Sequence, residues 1–223
     1  MLKIADLIST RDYGIKAFLF DLDGTLVDSS EAIIETNKKV LDSNGHSYDE
    51  QKIIGMIGMP LEEMFRILIP NLSQAKVNQY TNEYRKHYSN IHLKHTKIQP
   101  GTIRLLRKLK DHGFKLGIVT TKYRKPVLEV LHHFNLIDIF DTIVTGYEVK
   151  RHKPAPDIIL EASKRLGVEA ANCAIVGDSP IDIEAGKRAG AITIAVLTGP
   201  YTRQQMLKAK PNFLIESLKS IQI

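Results

Sequence analysis

The sequence predicts an α/β fold: a doubly wound, Rossmann-like parallel sheet core with an α-helical unit inserted after the first strand. Three observations predict it. Short, unbroken apolar runs recur along the chain and alternate with stretches of helical periodicity. Later runs begin at 115, 142 and 173, about one strand-helix-strand unit of roughly 30 residues apart. The first run begins at 16, far ahead of 115, so roughly 60–70 residues are surplus to a single such unit.

The elements follow in order. KAFLF (16–20) is the first buried strand. The surplus reads as helices: EAIIETNKKVLDSNG and PLEEMFRILIP carry apolar residues at helical spacing, and QAKVNQYTNEYRKHYSNI is a more polar helix. TIRLLRKLKDHG (102–113) is a helix stopped by Gly113. KLGIVT (115–120) is a strand, with a helix starting near Pro126, and TIVTG (142–146) is the next strand. PDIILEASKRLG (156–167) is a helix with Pro156 near its start and Gly167 at its end. CAIVGD (173–178) and ITIAVL (192–197) are strands, and NFLIES (212–217) is a weaker edge strand. The expected division is a core of residues 1–29 and 98–223 and an inserted helical unit of residues 30–97. Residues 1–14 are expected to form a short packing helix or a partner contact. There is no internal repeat and no low-complexity segment.

Composition narrows the function. The chain has 223 residues, 43% hydrophobic and 25% charged, as in an ordinary globular protein. Its one cysteine excludes an internal disulfide framework, and Cys173 sits in an apolar run as a small core residue. No apolar segment approaches membrane-spanning length, and polar residues interrupt the N-terminus where a signal peptide would be apolar. The expected setting is cytoplasmic, as a monomer or homodimer. The net charge of +6 is scattered, without the clustering that nucleic-acid binding requires.

The chemistry begins at AFLFDLDGTLVDS (17–29), where a buried strand runs into two aspartates. Two like charges about 4 Å apart cost roughly 4 kcal/mol at an effective dielectric near 20, so something must offset them. Ligands of open α/β sheets bind beyond the carboxyl ends of the strands, where Asp21 and Asp23 fall. Alternate residues of an extended segment point the same way, so these two carboxylates are expected to converge on one hard cation such as Mg²⁺. Gly24 permits a tight turn and lets amides approach an anion. Thr120 and Thr121 end the second strand before a helix and offer a phosphate seat, although such a pair also serves as a plain helix cap. Lys153, in RHKPAPD (151–157), sits on a proline-stiffened loop; a fixed ammonium there balances a phosphoryl oxygen, while a loop lysine by itself is surface charge. Asp178 ends the fourth strand and Asp182 stands at the next helix start, where either alone would serve as an N-cap. All of them together, at the same ends of four strands, point to a phosphate-and-metal site.

DLDGT (21–25), Thr120, Lys153 in KPAPD and GDSPID (177–182) occur in that order. With them the chain resembles the haloacid dehalogenase superfamily of phosphatases over nearly its whole length. The helical insert resembles that family's small cap. The resemblance implies that Asp21 is the nucleophile, forming an aspartyl-phosphate, and that Asp23 is general acid and then base. It implies that Thr120 and Lys153 bind phosphoryl oxygens. Mg²⁺ would be held by Asp21, the backbone carbonyl of Asp23, and Asp178, while Asp182 supports the metal's waters or orients Lys153. Gly24, Thr25, Thr121, Gly55 and Gly58 are expected substrate contacts. Asp23 sets the chain apart from the dehalogenases and phosphonoacetaldehyde hydrolases of the superfamily.

Specificity is expected from IIGMIGMPLEEMF (53–65), a loop with Gly55, Gly58 and Pro60 that faces the core; an interhelical turn packed by Met56 and Met59 explains the same residues. IGMPLEEMF resembles phosphoglycolate phosphatases, whereas VTTK (119–122) resembles bacterial pyrophosphatases and differs from the serine-rich motif of β-phosphoglucomutases. The expected substrate is a small phosphorylated metabolite, a phosphoglycolate-like monoester, with pyrophosphate as the alternative and a mutase behind both. A signalling receiver domain also combines an acidic pocket, a threonine and a lysine, but lacks such an insert. His92 and His95 read as a solvated linker, and His132 and His133 as surface or boundary. Arg66 and Lys97 are weaker candidates for substrate contact.

Overall fold

The structure, a computed structural model, describes residues 2–3 and 14–222. Ala17–Phe20 (β1) lies inside a six-stranded parallel sheet, with all four side chains buried. Helices on both faces explain why the run is apolar without alternation. Then come Val27–Asp28 (β2), the helices Ser30–Ser43 (α1), Glu50–Ile54 (α2), Leu61–Leu68 (α3) and Gln74–Ile91 (α4), and Lys97–Ile98 (β3). Thr102–Asp111 (α5), Lys115–Thr120 (β4), Arg124–His133 (α6), Thr142–Thr145 (β5) and Asp157–Leu166 (α7) follow. Cys173–Gly177 (β6), Pro180–Ala189 (α8), Ile192–Val196 (β7), Arg203–Lys208 (α9) and Phe213–Ile215 (β8) complete the order. The sheet expected from sequence is present, with NFLIES as its edge strand.

The spatial order is β5-β4-β1-β6-β7-β8. The chain winds outward from β1 through β4 to β5, then returns to build β6, β7 and β8 on the other side. The crevice of such a sheet opens where the winding reverses, at the carboxyl ends of β1 and β6. Register brings those ends level: Phe20 pairs with Ile118 on β4 and with Val176 on β6. Asp21, Thr120 and Asp178 therefore leave the sheet at one edge. Phe18 and Phe20 pack into one apolar layer with Leu106 and Val176; Ala17 and Leu19 pack into the opposite layer with Val119 and Ile159.

Helices α1 to α4 bury an apolar cluster of their own, including Ile33, Val40, Phe65, Tyr80, Tyr84 and Tyr88. The antiparallel pairs Val27–Ile98 and Asp28–Lys97 tie the two ends of this helical segment together.

Three expectations need correction. His92 is not solvated: it is 1% exposed, its ring stacks on Tyr88 at 5.0 Å, and its Nε2 lies 3.2 Å from Glu129. Burial holds its pKa below the ordinary histidine value. The reason is the four-residue step Tyr84, Tyr88, His92, which carries the buried stripe of α4 one residue past its end. His95, by contrast, is half-buried and paired with Glu31 at 2.7 Å. Neither Arg66 nor Lys97 reaches the sheet edge: Arg66 bonds Gln74 and the Glu62 carbonyl on the helical segment, and Lys97 is 74% exposed. His132 and His133 are exposed, as expected. Leu2–Lys3 pair in parallel with Ile221–Gln222; the expectation for residues 1–14 otherwise falls outside the described residues, save Gly14. Cys173 is buried, and burial pushes its thiol up to about 11, so it is unreactive. Among the described residues no helix is long and apolar enough to cross a membrane.

Candidate active site

Two ammonium groups, Lys153 buried and Lys122 half-buried, organise the carboxyl edge of the sheet. Lys153, 5% exposed, bonds Asp21 at 2.7 Å, Asp182 at 2.6 Å and the Val119 carbonyl at 2.7 Å. Lys122 lies 2.5 Å from Asp23, whose same oxygen also accepts from Ser29. Each aspartate of the DLD pair thus has its own lysine. The expectation that both side chains converge on one cation is not met. Asp23 has left the extended strand: it bridges to Val27, and Gly24 follows with φ +86°, so the two-residue alternation no longer applies.

A different acidic set converges. Asp21, Asp178 and Asp182 bring carboxylate oxygens within 4.8 Å of one another. All three are buried; Lys153 pairs with Asp21 and Asp182, whereas Asp178 has no ammonium partner among the described residues. Burial pushes Asp21 up to about 7; Lys153 opposes this, while Asp182 and Asp23 add to it. Asp178 is held well above the usual carboxylate range by burial and by the charges of Asp21 and Asp182. Lys153 itself stays above the ordinary lysine value, because Asp182 and Asp21 outweigh its own burial. Excess buried negative charge, with oxygen donors and no sulfur or imidazole, is a donor set that fits a hard divalent cation such as Mg²⁺.

The acids are seated on glycines. A Cβ at Gly24 would lie 2.2 Å from Asp178 Oδ2, one at Gly199 only 1.9 Å from it, and one at Gly177 2.4 Å from Asp182 Cβ. Thr25, fully buried, donates to Asp178 at 2.7 Å. Gly24 and Thr25 therefore build the acidic cluster, although the sequence suggested substrate contacts. Asp182 reaches Lys153 with one oxygen and with the other closes a capping box on Ser179 at the start of α8. Gly199→Ala forces Asp178 out of place, and activity falls by about a hundredfold, as for a misplacement of about 1 Å. Gly55→Ala, whose Cβ meets only backbone at 3.5 Å, retains wild-type activity. Turnover by the two purified variants checks this pair; a fully active Gly199→Ala contradicts it.

The helical segment closes over this edge. Ile57 and Gly58 (φ +95°) line the acidic niche with Asp21, Asp23, Asp178 and Asp182. Thr121 donates to the Gly58 carbonyl at 2.7 Å, and Tyr147 donates to Glu62 at 2.7 Å. Next to Asp23 the two parts form a partly open chamber of about 60 Å³. Its walls include Ile33, Met64, Tyr84, Tyr88, Thr121 and Lys122. Thr120 is 1% exposed, and its hydroxyl accepts the amide of Lys122. Gly55 reaches neither niche nor chamber; its carbonyl accepts from Tyr201 at 3.1 Å. Of the two alternatives for the 53–65 loop, both hold in part: Met56 is packed inside, whereas Ile57, Gly58 and Met59 face the site.

Sequence reading passed over Lys122, Tyr88 and Gly199. Lys122 alternates with Thr120 beyond a strand end, and Tyr88 belongs to an aromatic stripe on an otherwise polar helix; those were the available signals. Gly199 had none.

The haloacid dehalogenase-like hydrolase family model matches residues 18–196. A phosphoglycolate phosphatase of Aquifex aeolicus is 36% identical over 187 residues, covering 83% of this chain and 86% of the relative. A pyrophosphatase PpaX of Bacillus pumilus is 31% identical over 208 residues, covering 93% and 94%. Among solved structures, a β-phosphoglucomutase of Clostridium difficile superposes with a TM-score of 0.79 at 26% identity, covering 92% of each chain.

Proposed function

The chain belongs to the haloacid dehalogenase-like hydrolase family, and on that premise we propose that it is a Mg²⁺-dependent phosphatase acting on a small phosphate monoester of the phosphoglycolate kind. One observation carries this reading: Lys153 draws Asp21 and Asp182 together at the switch point of the sheet, and Asp23 lines both their niche and a neighbouring chamber under the helical segment. Asp21 attacks phosphorus; its new P–O bond forms as the ester P–O bond breaks, and Asp23 gives the leaving oxygen its proton. Asp23 then takes a proton from water, which hydrolyses the aspartyl-phosphate. Thr120 and Lys153 hold the phosphoryl oxygens. Asp21, Asp178 and the Asp23 backbone carbonyl would hold Mg²⁺, which supplies positive charge against the phosphoryl oxygens.

We read residues 30–97 as a cap that keeps water out and limits the leaving group. The largely apolar wall beside Asp23, with Ile33, Leu61, Met64 and the tyrosine rings, supports a small leaving group. Relatives named as pyrophosphatases support pyrophosphate as a second reading. Phosphate release from phosphoglycolate, pyrophosphate, glucose 6-phosphate and AMP, with Mg²⁺ and with EDTA, tests it. The expected result is Mg²⁺-dependent release from phosphoglycolate above all others. No release from any of them, or release indifferent to EDTA, contradicts the proposal.

A further inference from the structure

Lys122 has chemistry left over. Its side chain is 9% exposed. Its ammonium donates to Asp23 at 2.5 Å and to the Tyr88 hydroxyl at 2.7 Å, and it lies 4.8 Å from the centroid of the Tyr88 ring. Those bonds use two of its three N–H groups. The third has no partner among the described residues, and the side chain lines the chamber. Among the described residues no other cation lines that chamber, whose walls are largely Ile33, Ile57, Leu61, Met64 and tyrosine rings.

The position of this cation matters as much as its charge. Asp23 lines both the acidic niche and the chamber, so the leaving oxygen sits beside Asp23 and the rest of the leaving group extends toward Lys122. A desolvated ammonium with an unused proton is costly until an acceptor meets it, and an ionised acceptor meets it best. A neutral alkyl leaving group would fill the chamber and leave that proton unmatched.

We propose that Lys122 is the residue that selects the leaving group, and that the substrate carries a second anionic group within a few bonds of the ester oxygen. This rests on the phosphatase reading above. The second group is a carboxylate or a phosphoryl; Lys122 reads its charge and the chamber wall limits its length. Asp23 stays bonded to Lys122 throughout, so the same ammonium joins the acid to the group it acts on.

The test compares phosphoglycolate with ethyl phosphate, whose leaving group is uncharged, in wild type, Lys122→Met and Lys122→Arg. In wild type, kcat/KM favours phosphoglycolate. In Lys122→Met that preference falls at least about tenfold, mainly through KM, as expected for loss of a charge-assisted hydrogen bond. Lys122→Arg keeps the charge and restores part of the preference. Pyrophosphate is the third arm: a tenfold loss there, with phosphoglycolate spared, assigns the second group as phosphoryl. Equal losses on both esters and pyrophosphate overturn the proposal, because Lys122 would then act only through Asp23. A wild type that prefers ethyl phosphate overturns it too. Calorimetric binding of the same three probes to Asp21→Asn, with and without Lys122→Met, reads the charge preference without turnover. If no probe is hydrolysed, the phosphatase reading fails by itself; the Lys122 proposal fails if Lys122→Met leaves the binding order unchanged.

Discussion

Asp21→Asn abolishes turnover, by a factor on the order of 10⁴ or more for loss of a nucleophile, and does not destabilise the fold. Burial holds the Asp21 carboxyl up at about 7 in the folded chain, against an ordinary value of 3.8. The sign follows from linkage. A carboxyl raised in the folded state favours folding when protonated; that contribution is complete below pH 4 and is lost as pH rises toward 7. At pH 8 without metal the charged side chain therefore opposes folding, and asparagine removes the charge. The thermal midpoint of Asp21→Asn equals or exceeds that of wild type at pH 8 in EDTA, and the difference narrows at pH 5. Mg²⁺ reverses the order by stabilising the wild type more. Residual activity above about 1% of wild type, or a midpoint depressed at pH 8, contradicts the account.

Lys153→Met has the largest expected effect on stability. It removes the one ammonium shared by Asp21 and Asp182, both less than a tenth exposed. Breaking a buried ion pair by deleting one partner costs about 3–5 kcal/mol, which for a chain of this size lowers the midpoint by roughly 10 °C. The pKa of Lys153 is raised in the folded state. Its contribution is thus fully present below the ordinary lysine value of 10.5 and is lost only as pH rises above it. Titration of the lysine itself therefore leaves the deficit full at pH 8; at pH 5 it is smaller for a separate reason, because Asp21 is then protonated and leaves less buried negative charge unpaired in the variant. Calorimetric unfolding at both pH values checks this; a midpoint unchanged at pH 8 contradicts it.

The architecture was legible because a parallel strand buried on both faces must be written as an unbroken apolar run. Leu19 and Phe20, or Ile175 and Val176, face opposite layers and are apolar for that reason alone. The candidate site was legible where its residues fall at a strand end: Asp21, Thr120 and Asp178 stand there by register. Legibility failed where the backbone leaves regular structure. The strand rule placed Asp23 beside Asp21, but the turn at Gly24 sent its carboxylate to Lys122 and Ser29. It failed again where contacts join distant segments. Nothing local says that Tyr88 meets Lys122, or that Gly199 leaves room for Asp178. Gly55 and Gly58 look alike in sequence, yet one ends a short helix with φ −65° and the other turns at φ +95° over the niche. His92 was recoverable, since the four-residue step of the tyrosines in α4 reaches it.

The central claim is that Asp21 carries the phosphoryl group. The most direct test quenches the enzyme in acid during turnover of phosphoglycolate with Mg²⁺, then reads the mass of the peptide holding residues 21–25. The account predicts a phosphoryl group on Asp21, absent in Asp21→Asn and absent when EDTA replaces Mg²⁺. Steady phosphate release with that peptide never modified, and with Asp21→Asn still active, would contradict it.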